Sequence, residues 1–289
     1  MSVDSLHLSE LRIVLLGYKG AGKSSSGNTI LGREEFDTSG RTAQCVKRQG
    51  QVAGRQVTVV EAPGWWRNYQ LEVTPELTKE EIELSVSLCP PGPHALLLVI
   101  PVDNSFVETC KRSLEEHLEL LSERVWSHTI VLFTCEDWLG DTPIEQYIES
   151  EGESLQWLVE KCRNRYHVLN NQKREDHMQV TQLMEKIEEM VAGNRGHHYE
   201  MERQRREILE EKRRSDEERV KERMMKVKIE RESHRSLMGE LRISCSTTSL
   251  LLLVSNGLYI SFLYTVTDIY TADRRHMISA FIATDKHID

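Results

Sequence analysis

Short apolar runs alternate with amphipathic stretches through the first two-thirds of the chain. Ile13 to Leu16, Gln56 to Val60, Ala95 to Val102 and Thr129 to Phe133 read as buried strands, with Tyr166 to Leu169 as a last short one. The run Ala95 to Val102 is apolar throughout and bounded by Pro93 and Asp103, the pattern of a central strand covered on both faces. Ser25 to Leu31, Val73 to Leu88, Val107 to Ser122, Ile144 to Glu151, Ser154 to Arg163 and Val180 to Ala192 read as helices. Gly32 and Gly193 stand where the first and last of them should stop. Val46 to Val52 meets Gln56 to Val60 across Ala53, Gly54 and Arg55, a hairpin pattern. Strands alternating with helices predict an α/β fold: a doubly wound, mostly parallel sheet with its ligand at the carboxyl ends of the strands.

The pattern changes at Glu200. From there to Arg235 the chain is dominated by Glu, Arg and Lys of mixed sign, without proline or glycine, which predicts a long solvated helix of coiled-coil-like composition. Its apolar residues, among them Ile208, Leu209, Val220 and Met224, do not sustain a heptad, so a single helix or one folded back on the domain is expected. Ile243 to Thr267 then contains no charged residue. It exceeds the roughly 20 residues that a bilayer span needs, yet Ser, Thr, Asn256 and Gly257 dilute it. A membrane anchor and an apolar tail that docks on a partner both fit. The expected division is a first domain over 8–195, a charged helical extension over 196–240, and an apolar segment and tail over 241–289.

Composition narrows the partners. A formal net charge of −9 argues against binding nucleic acid through bulk positive charge. The six cysteines (Cys45, Cys89, Cys110, Cys135, Cys162 and Cys245) form no C-x-x-C pair, so neither a zinc site nor a disulfide framework is expected. With no apolar signal region at the start, the expected compartment is the cytoplasm.

The chemistry concentrates where the first strand ends. Gly17 to Ser24 reads GYKGAGKS, the pattern G-x-x-x-x-G-K-[ST] between a strand and a helix. Residues without a Cβ let the backbone N–H groups of Gly17, Tyr18, Lys19, Gly20, Ala21 and Gly22 curl around phosphate, and the helix entered through Ser24 and Ser25 adds its dipole. Lys23 would reach the β- and γ-phosphates and the Ser24 hydroxyl would ligate Mg²⁺. The polar stretch Arg33 to Gln44 reads as a mobile loop in which Thr42, with Thr38 in reserve, is the candidate to sense the γ-phosphate through the metal. Glu61 ends a strand where such a fold holds Mg²⁺, usually through a water and with an aspartate; one extra methylene means that the metal geometry adjusts or the water network shortens. Gly64 follows as the candidate N–H donor to the γ-phosphate, and Trp65 and Trp66 read as a hydrophobic lid or an interface patch. Asp137, just past a later strand, fits a bidentate acceptor for the N1–H and N2–H of guanine. Asn170 and Asn171 read either as a base contact or as an Asn-rich turn.

The stretch GYKGAGKSSSGNTILG from Gly17 to Gly32 resembles the AIG1-type, or GIMAP, immunity-associated GTPases. Thr42-x-x-Cys45 and GPHALLLVI from Gly92 to Ile100 are similar to two further passages of that family. The resemblance implies a P-loop NTPase with a Ras-like G domain that binds GTP and GDP with Mg²⁺ and pairs with a second copy through its nucleotide face, with C-terminal membrane anchors in some relatives. Departures stand beside it. The usual D-T-P-G is Glu61-Ala62-Pro63-Gly64, a lysine that usually stacks under the base is Cys135, and Pro101 to Phe106 lacks the arginine that certain relatives supply across a dimer. The expected function is a guanine-nucleotide switch with slow hydrolysis of GTP to GDP and phosphate. The alternatives are a non-hydrolysing scaffold assembled on a membrane and a P-loop kinase or ATPase, which would prefer ATP.

Overall fold

The computed structural model describes the backbone of residues 8–255 and the side chains of residues 8–236. Six strands form one sheet: β1 (Glu10–Leu16), β2 (Val46–Val52), β3 (Arg55–Glu61), β4 (Ala95–Pro101), β5 (Thr129–Thr134) and β6 (Tyr166–Val168), in the spatial order β2-β3-β1-β4-β5-β6. Only the β2–β3 pair is antiparallel. Its two-residue connection puts Ala53 and Gly54 at φ of +50° and +78°, the positive values a tight turn between right-twisted strands requires. The doubly wound, mostly parallel sheet expected from the strand–helix alternation is the one observed.

Seven α-helices run among the described residues: α1 (Lys23–Leu31), α2 (Glu76–Ser87), α3 (Glu108–Glu119), α4 (Ile144–Glu151), α5 (Glu153–Lys161), α6 (His177–Gly193) and α7 (Arg203–Ser255). The single helix expected from Val73 is instead a short 3₁₀ turn, Leu71–Val73, followed by α2, with Pro75 extended at the junction (ψ 137°). Proline, which has no N–H to leave unpaired, suits that start. α1 begins two residues before its expected start because Gly22, at φ +95°, turns the chain straight into it.

The interior strands carry the core. Ile13 to Leu16, Leu96 to Val99 and Ile130 to Phe133 are wholly buried, whereas edge strand β2 alternates between half-buried and exposed positions, with Gly50 buried. Cys89, Cys110 and Cys162 pack inside as small apolar residues, and none of the cysteines with described side chains forms a disulfide. In the sheet register Leu15 faces Glu61 and Leu16 faces Leu98, so the loop that follows β1 and the carboxylate that ends β3 emerge at one edge.

The chain separates into two units, Met1–Glu217 and Glu218–Asp289. The first unit contains the sheet, α1 to α6 and the first turns of α7, where Leu209 is buried despite lying in the charged run. In the second unit the described side chains, 218–236, are exposed, and the backbone stays helical to Ser255. The apolar segment Ile243 to Thr267 lies outside the residues with described side chains, as does Cys245. Among the described residues no helix is long and apolar enough to cross a membrane.

Candidate phosphate-binding site

The loop that leaves β1 is shaped by its glycines. A Cβ on Gly17 would stand 2.7 Å from the Val99 carbonyl oxygen, so only glycine lets the chain pass this close to β4. Gly20 and Gly22, at φ of +82° and +95°, curl the backbone back over the start of α1. Lys23 lies beneath this curl, almost wholly buried, and its Nζ donates to the carbonyls of Gly17 (3.0 Å) and Tyr18 (3.1 Å). Burial lowers its pKa to about 8, with the attraction of Glu61 opposing the fall. A buried cation braced by two carbonyls gains most when an anion enters the loop above it.

A cleft of about 270 Å³ opens over Lys23. Lys19, Gly20, Gly22, Lys23, Ser24 and Ser25 line it from the loop and α1; Thr38, Gly40, Arg41 and Thr42 from the segment before β2; Glu61 and Gly64 from the end of β3. Within it, one carboxylate oxygen, Glu61 Oε1, accepts from both Ser24 Oγ (2.9 Å) and Thr42 Oγ1 (3.0 Å). Of the two threonines weighed from the sequence, Thr42 touches Glu61. Thr38 also lines the cleft. Gly64 presses on the cradle from the other side: a Cβ there would stand 2.7 Å from both the Lys19 nitrogen and Lys23 Nζ. Lys19 N–H donates to the Trp65 carbonyl at 2.7 Å, which ties the loop to the segment after β3.

The residues after Lys23 have a structural task. A Cβ on Gly27 would come within 2.6 Å of the Phe36 ring, so Gly27 is the seat that lets Phe36 pack on α1. Asn28, also buried, accepts from the backbone N–H groups of Glu35 (2.8 Å) and Phe36 (2.7 Å) and donates to the Phe36 carbonyl (2.9 Å). Together they anchor the near end of the segment that carries Thr42. At its far end the Cys45 N–H donates to Glu81 Oε2 of α2 at 2.7 Å.

The remaining sequence candidates stand outside that cleft. Asp137 is exposed, in a short 3₁₀ turn directly after β5, and Cys135 before it adopts φ +62°. Burial raises the Cys135 thiol pKa, so this position offers a neutral side chain where the resemblance leads one to expect a lysine. Thr134 Oγ1 donates to the Ala21 carbonyl at 2.9 Å and holds the end of β5 against the loop. The two asparagines differ. Asn170 Oδ1 accepts from the N–H groups of Gln172 and Lys173, a turn bond, whereas Asn171 Oδ1 accepts from Thr29 Oγ1 of α1 at 2.8 Å.

Trp65 and Trp66 also divide. Trp65 is buried and stacks on His117 of α3 with ring centroids 4.6 Å apart. The His117 ring is held on both sides, Nδ1 against the Ser113 carbonyl at 2.6 Å and Nε2 against Thr74 Oγ1 at 2.8 Å, and burial lowers its pKa. Trp66 is about half exposed, with the Lys19 ammonium 4.3 Å from its ring centre. His117 and the anchoring role of Asn28 had no sequence signal of their own. Arg41 had none either, because only the course of its loop brings it to the cleft.

Residues 11–219 match the sequence profile of the AIG1 family. The chain belongs to the AIG1 family. Human GTPase IMAP family member 8 is 32% identical over 197 residues, covering 66% of this chain and 28% of that protein. Immune-associated nucleotide-binding protein 12 of Arabidopsis thaliana is 31% identical over 194 residues, covering 63% of this chain and 48% of its own length. The chain thus spans from about a quarter to about half the length of these relatives. Among solved structures, Toc33 from Arabidopsis thaliana in complex with GDP and Mg²⁺ superposes with a TM-score of 0.52 at 15% identity, over 64% of this chain and 86% of its own. A dimerization-deficient Toc33 mutant gives 0.53 at 15% identity, over 65% and 86%. At this identity the likeness establishes the fold, that of a P-loop GTPase G domain, which in this AIG1 chain carries the cradle just described.

Proposed function

We propose that the chain is a guanine-nucleotide switch that binds GTP and GDP with Mg²⁺, hydrolyses GTP slowly, and pairs with a second copy through its nucleotide face. The observation that carries this reading is the convergence of Ser24, Thr42 and Glu61 beside a buried Lys23 under a glycine-turned loop. Two hydroxyls and a carboxylate are the oxygen donors Mg²⁺ takes, and no thiol or imidazole lines the cleft. The loop N–H groups and Lys23 bind the phosphates; Ser24, Thr42 and Glu61 hold the metal; the Gly64 N–H reaches toward the γ-phosphate; Asp137 accepts from the guanine edge. When bound, the metal supplies positive charge against the charge that develops on the transferring phosphoryl group.

Relatives support the reading by name. They are described as a GTPase and as an immune-associated nucleotide-binding protein, and an immune setting is part of the proposal. Toc33 has been described with GDP and Mg²⁺, and its dimerization as important for its GTPase activity. Trp66, exposed beside Lys19, gives the nucleotide face an apolar contact for a second copy. On the same reading the chain works in the cytoplasm, and residues 243–267 carry it to an intracellular membrane, so the full chain should sediment with membranes.

One observation favours a second reading, a non-hydrolysing scaffold in which nucleotide only sets loop conformation. Trp65 is locked on His117, and neither it nor Trp66 has the amide that would orient an attacking water, while Pro101 to Phe106 offers no arginine. A single-turnover assay decides between them. Phosphate release whose rate rises with protein concentration supports a pairing GTPase, bound but intact GTP supports the scaffold, and displacement of GDP by ATP at equal concentration overturns the guanine assignment.

A further inference from the structure

We propose that Arg41 is a catalytic residue of this site: its guanidinium, supplied from the chain's own loop, contacts the γ-phosphate oxygens as the phosphoryl group leaves GDP. The proposal rests on the guanine-nucleotide reading and deepens it by naming a group that acts on the transition state. Three cationic side chains, Lys19, Lys23 and Arg41, line the phosphate cleft. Two of them are already held. The Lys23 ammonium donates to the Gly17 and Tyr18 carbonyls, and the Lys19 ammonium lies over the Trp66 ring. Arg41 is exposed and makes no hydrogen bond, ion pair or ring contact among the described residues.

Acids are not scarce around it; they are engaged elsewhere. Within residues 33–45, Glu34 pairs with Arg174, Glu35 with Arg33 and Arg48, and Asp37 Oδ1 accepts from both the N–H and the hydroxyl of Ser39. From outside, Glu61 accepts from Thr42 and Glu81 from the Cys45 N–H. The arginine left without an anion is the one that lines the phosphate cleft. Its backbone is held there too, because Thr42, one residue and about 3.8 Å of Cα spacing away, is bonded to Glu61. The reaction gives the guanidinium its task. A water oxygen bonds to the γ-phosphorus, and the bond from that phosphorus to the β–γ bridging oxygen breaks, its electron pair leaving with GDP. One water proton passes to a γ-phosphate oxygen, so that GTP and water become GDP and dihydrogen phosphate. Negative charge is spread over the three γ oxygens and moves onto GDP. A planar, permanently charged fork of N–H donors matches that distribution, and an unpaired one breaks no existing bond to reach it.

The test compares the full wild-type chain with Arg41→Ala and Arg41→Lys in single-turnover hydrolysis of GTP and in equilibrium binding. The probes for binding are GDP, GMPPNP, and GDP with aluminium fluoride, which mimics the phosphoryl group in transit. In Arg41→Ala the rate is expected to fall about a hundredfold or more, as loss of a charge-stabilising arginine implies. Affinity for GDP with aluminium fluoride should fall at least about tenfold, while affinities for GDP and GMPPNP stay within about twofold, the mark of a contact made only in the transition state. Arg41→Lys should recover part of the rate, since it keeps the charge and loses the fork. The ratio of wild-type to Arg41→Ala rates should hold as protein is diluted. A ratio that falls to one on dilution makes the arginine a group supplied by a second copy and overturns the proposal. Unchanged rate and fluoride binding in Arg41→Ala, GMPPNP affinity lost as strongly as fluoride affinity, or intact GTP in the wild-type chain also overturn it, and each leaves guanine-nucleotide binding standing. Failure of the wild-type chain to bind GDP or GMPPNP overturns the guanine-nucleotide reading and the proposal with it.

Discussion

Arg205 forks onto Glu83: its Nη2 donates to Oε1 at 2.6 Å and its Nε to Oε2 at 2.7 Å, while the Glu83 side chain is only 3% exposed. Paired bonds of this kind fix orientation as well as charge. They clamp the first turn of α7 to α2, with Leu209 buried nearby in sequence and Lys212, about two turns along α7, bonded to Glu80. Arg205→Ala leaves a buried carboxylate without its partner, and a loss of about 1–3 kcal/mol is expected, read as a lower midpoint of thermal unfolding. Arg205→Lys should recover only part, since a point charge cannot make both bonds. Glu83→Gln combined with Arg205→Ala should be milder than Arg205→Ala alone. If Arg205→Ala unfolds at the wild-type temperature, the clamp contributes nothing.

Gly64 touches the cradle so closely that its substitution tests the site without removing a functional group. A Cβ there would stand 2.7 Å from Lys19 N and Lys23 Nζ and 2.8 Å from the Tyr18 carbonyl carbon, and two of those three atoms are backbone. Gly64→Ala must push the loop and the segment after β3 apart, a shift that typically costs 1–3 kcal/mol. The expected result is at least a tenfold weaker affinity for a fluorescent GTP analogue in a chain that still folds by circular dichroism. Unchanged affinity would mean that residue 64 is not part of the cradle.

The sequence revealed most where local rules decide. Gly17, Gly20 and Gly22 occupy positions that need a missing Cβ or a positive φ, so their spacing already carried the loop's geometry. β4 was legible because a strand buried on both faces must be apolar throughout. What stayed hidden depends on contacts between distant segments. The pattern put Thr42 ahead of Thr38 but could not say what either touches; the fold of residues 33–45, pinned through Asn28 to Phe36, brings Thr42 to Glu61. Leu209 looked like one more residue on a charged helix, and its burial follows from the docking of α7 on α2. Asn170 and Asn171 are neighbours of identical chemistry, yet one closes a turn and the other bonds α1.

Lys23 gives the nucleotide affinity a pH dependence. Its pKa in the folded chain is about 8 against an ordinary 10.5, with burial the main cause. Between those values the unfolded chain holds a proton that the folded chain lacks, so this group makes the nucleotide-free fold gain stability as pH rises from about 8 toward 10.5. Phosphate reverses the preference, because the anion favours the ammonium form. GDP binding at pH 9 should therefore take up close to one proton, and affinity should fall as pH rises above 8. Calorimetry in two buffers of different ionisation enthalpy measures both effects. In Lys23→Ala most of the affinity and the proton uptake should vanish together; a pH profile shared with wild type would assign the uptake to another group.

The guanine contact proposed for Asp137 can be tested through the choice of base. It is exposed, just past the C-terminal end of β5, in a turn next to the bond from Thr134 to Ala21 that holds the strand end to the phosphate loop. A carboxylate there accepts the two guanine N–H groups, while an amide presents one acceptor and one donor. The donor then meets an N–H in guanine but a carbonyl oxygen in xanthine. Asp137→Asn is expected to weaken GDP and strengthen xanthosine diphosphate, each by about tenfold or more, the usual size of 1–3 kcal/mol of edge discrimination. Phosphate contacts stay unaltered in this variant, so inorganic pyrophosphate should compete equally well against either protein. Competition titrations with the two diphosphates measure the exchange, and an unchanged ratio would move base recognition to another part of the rim, with Asn171 the first residue to examine.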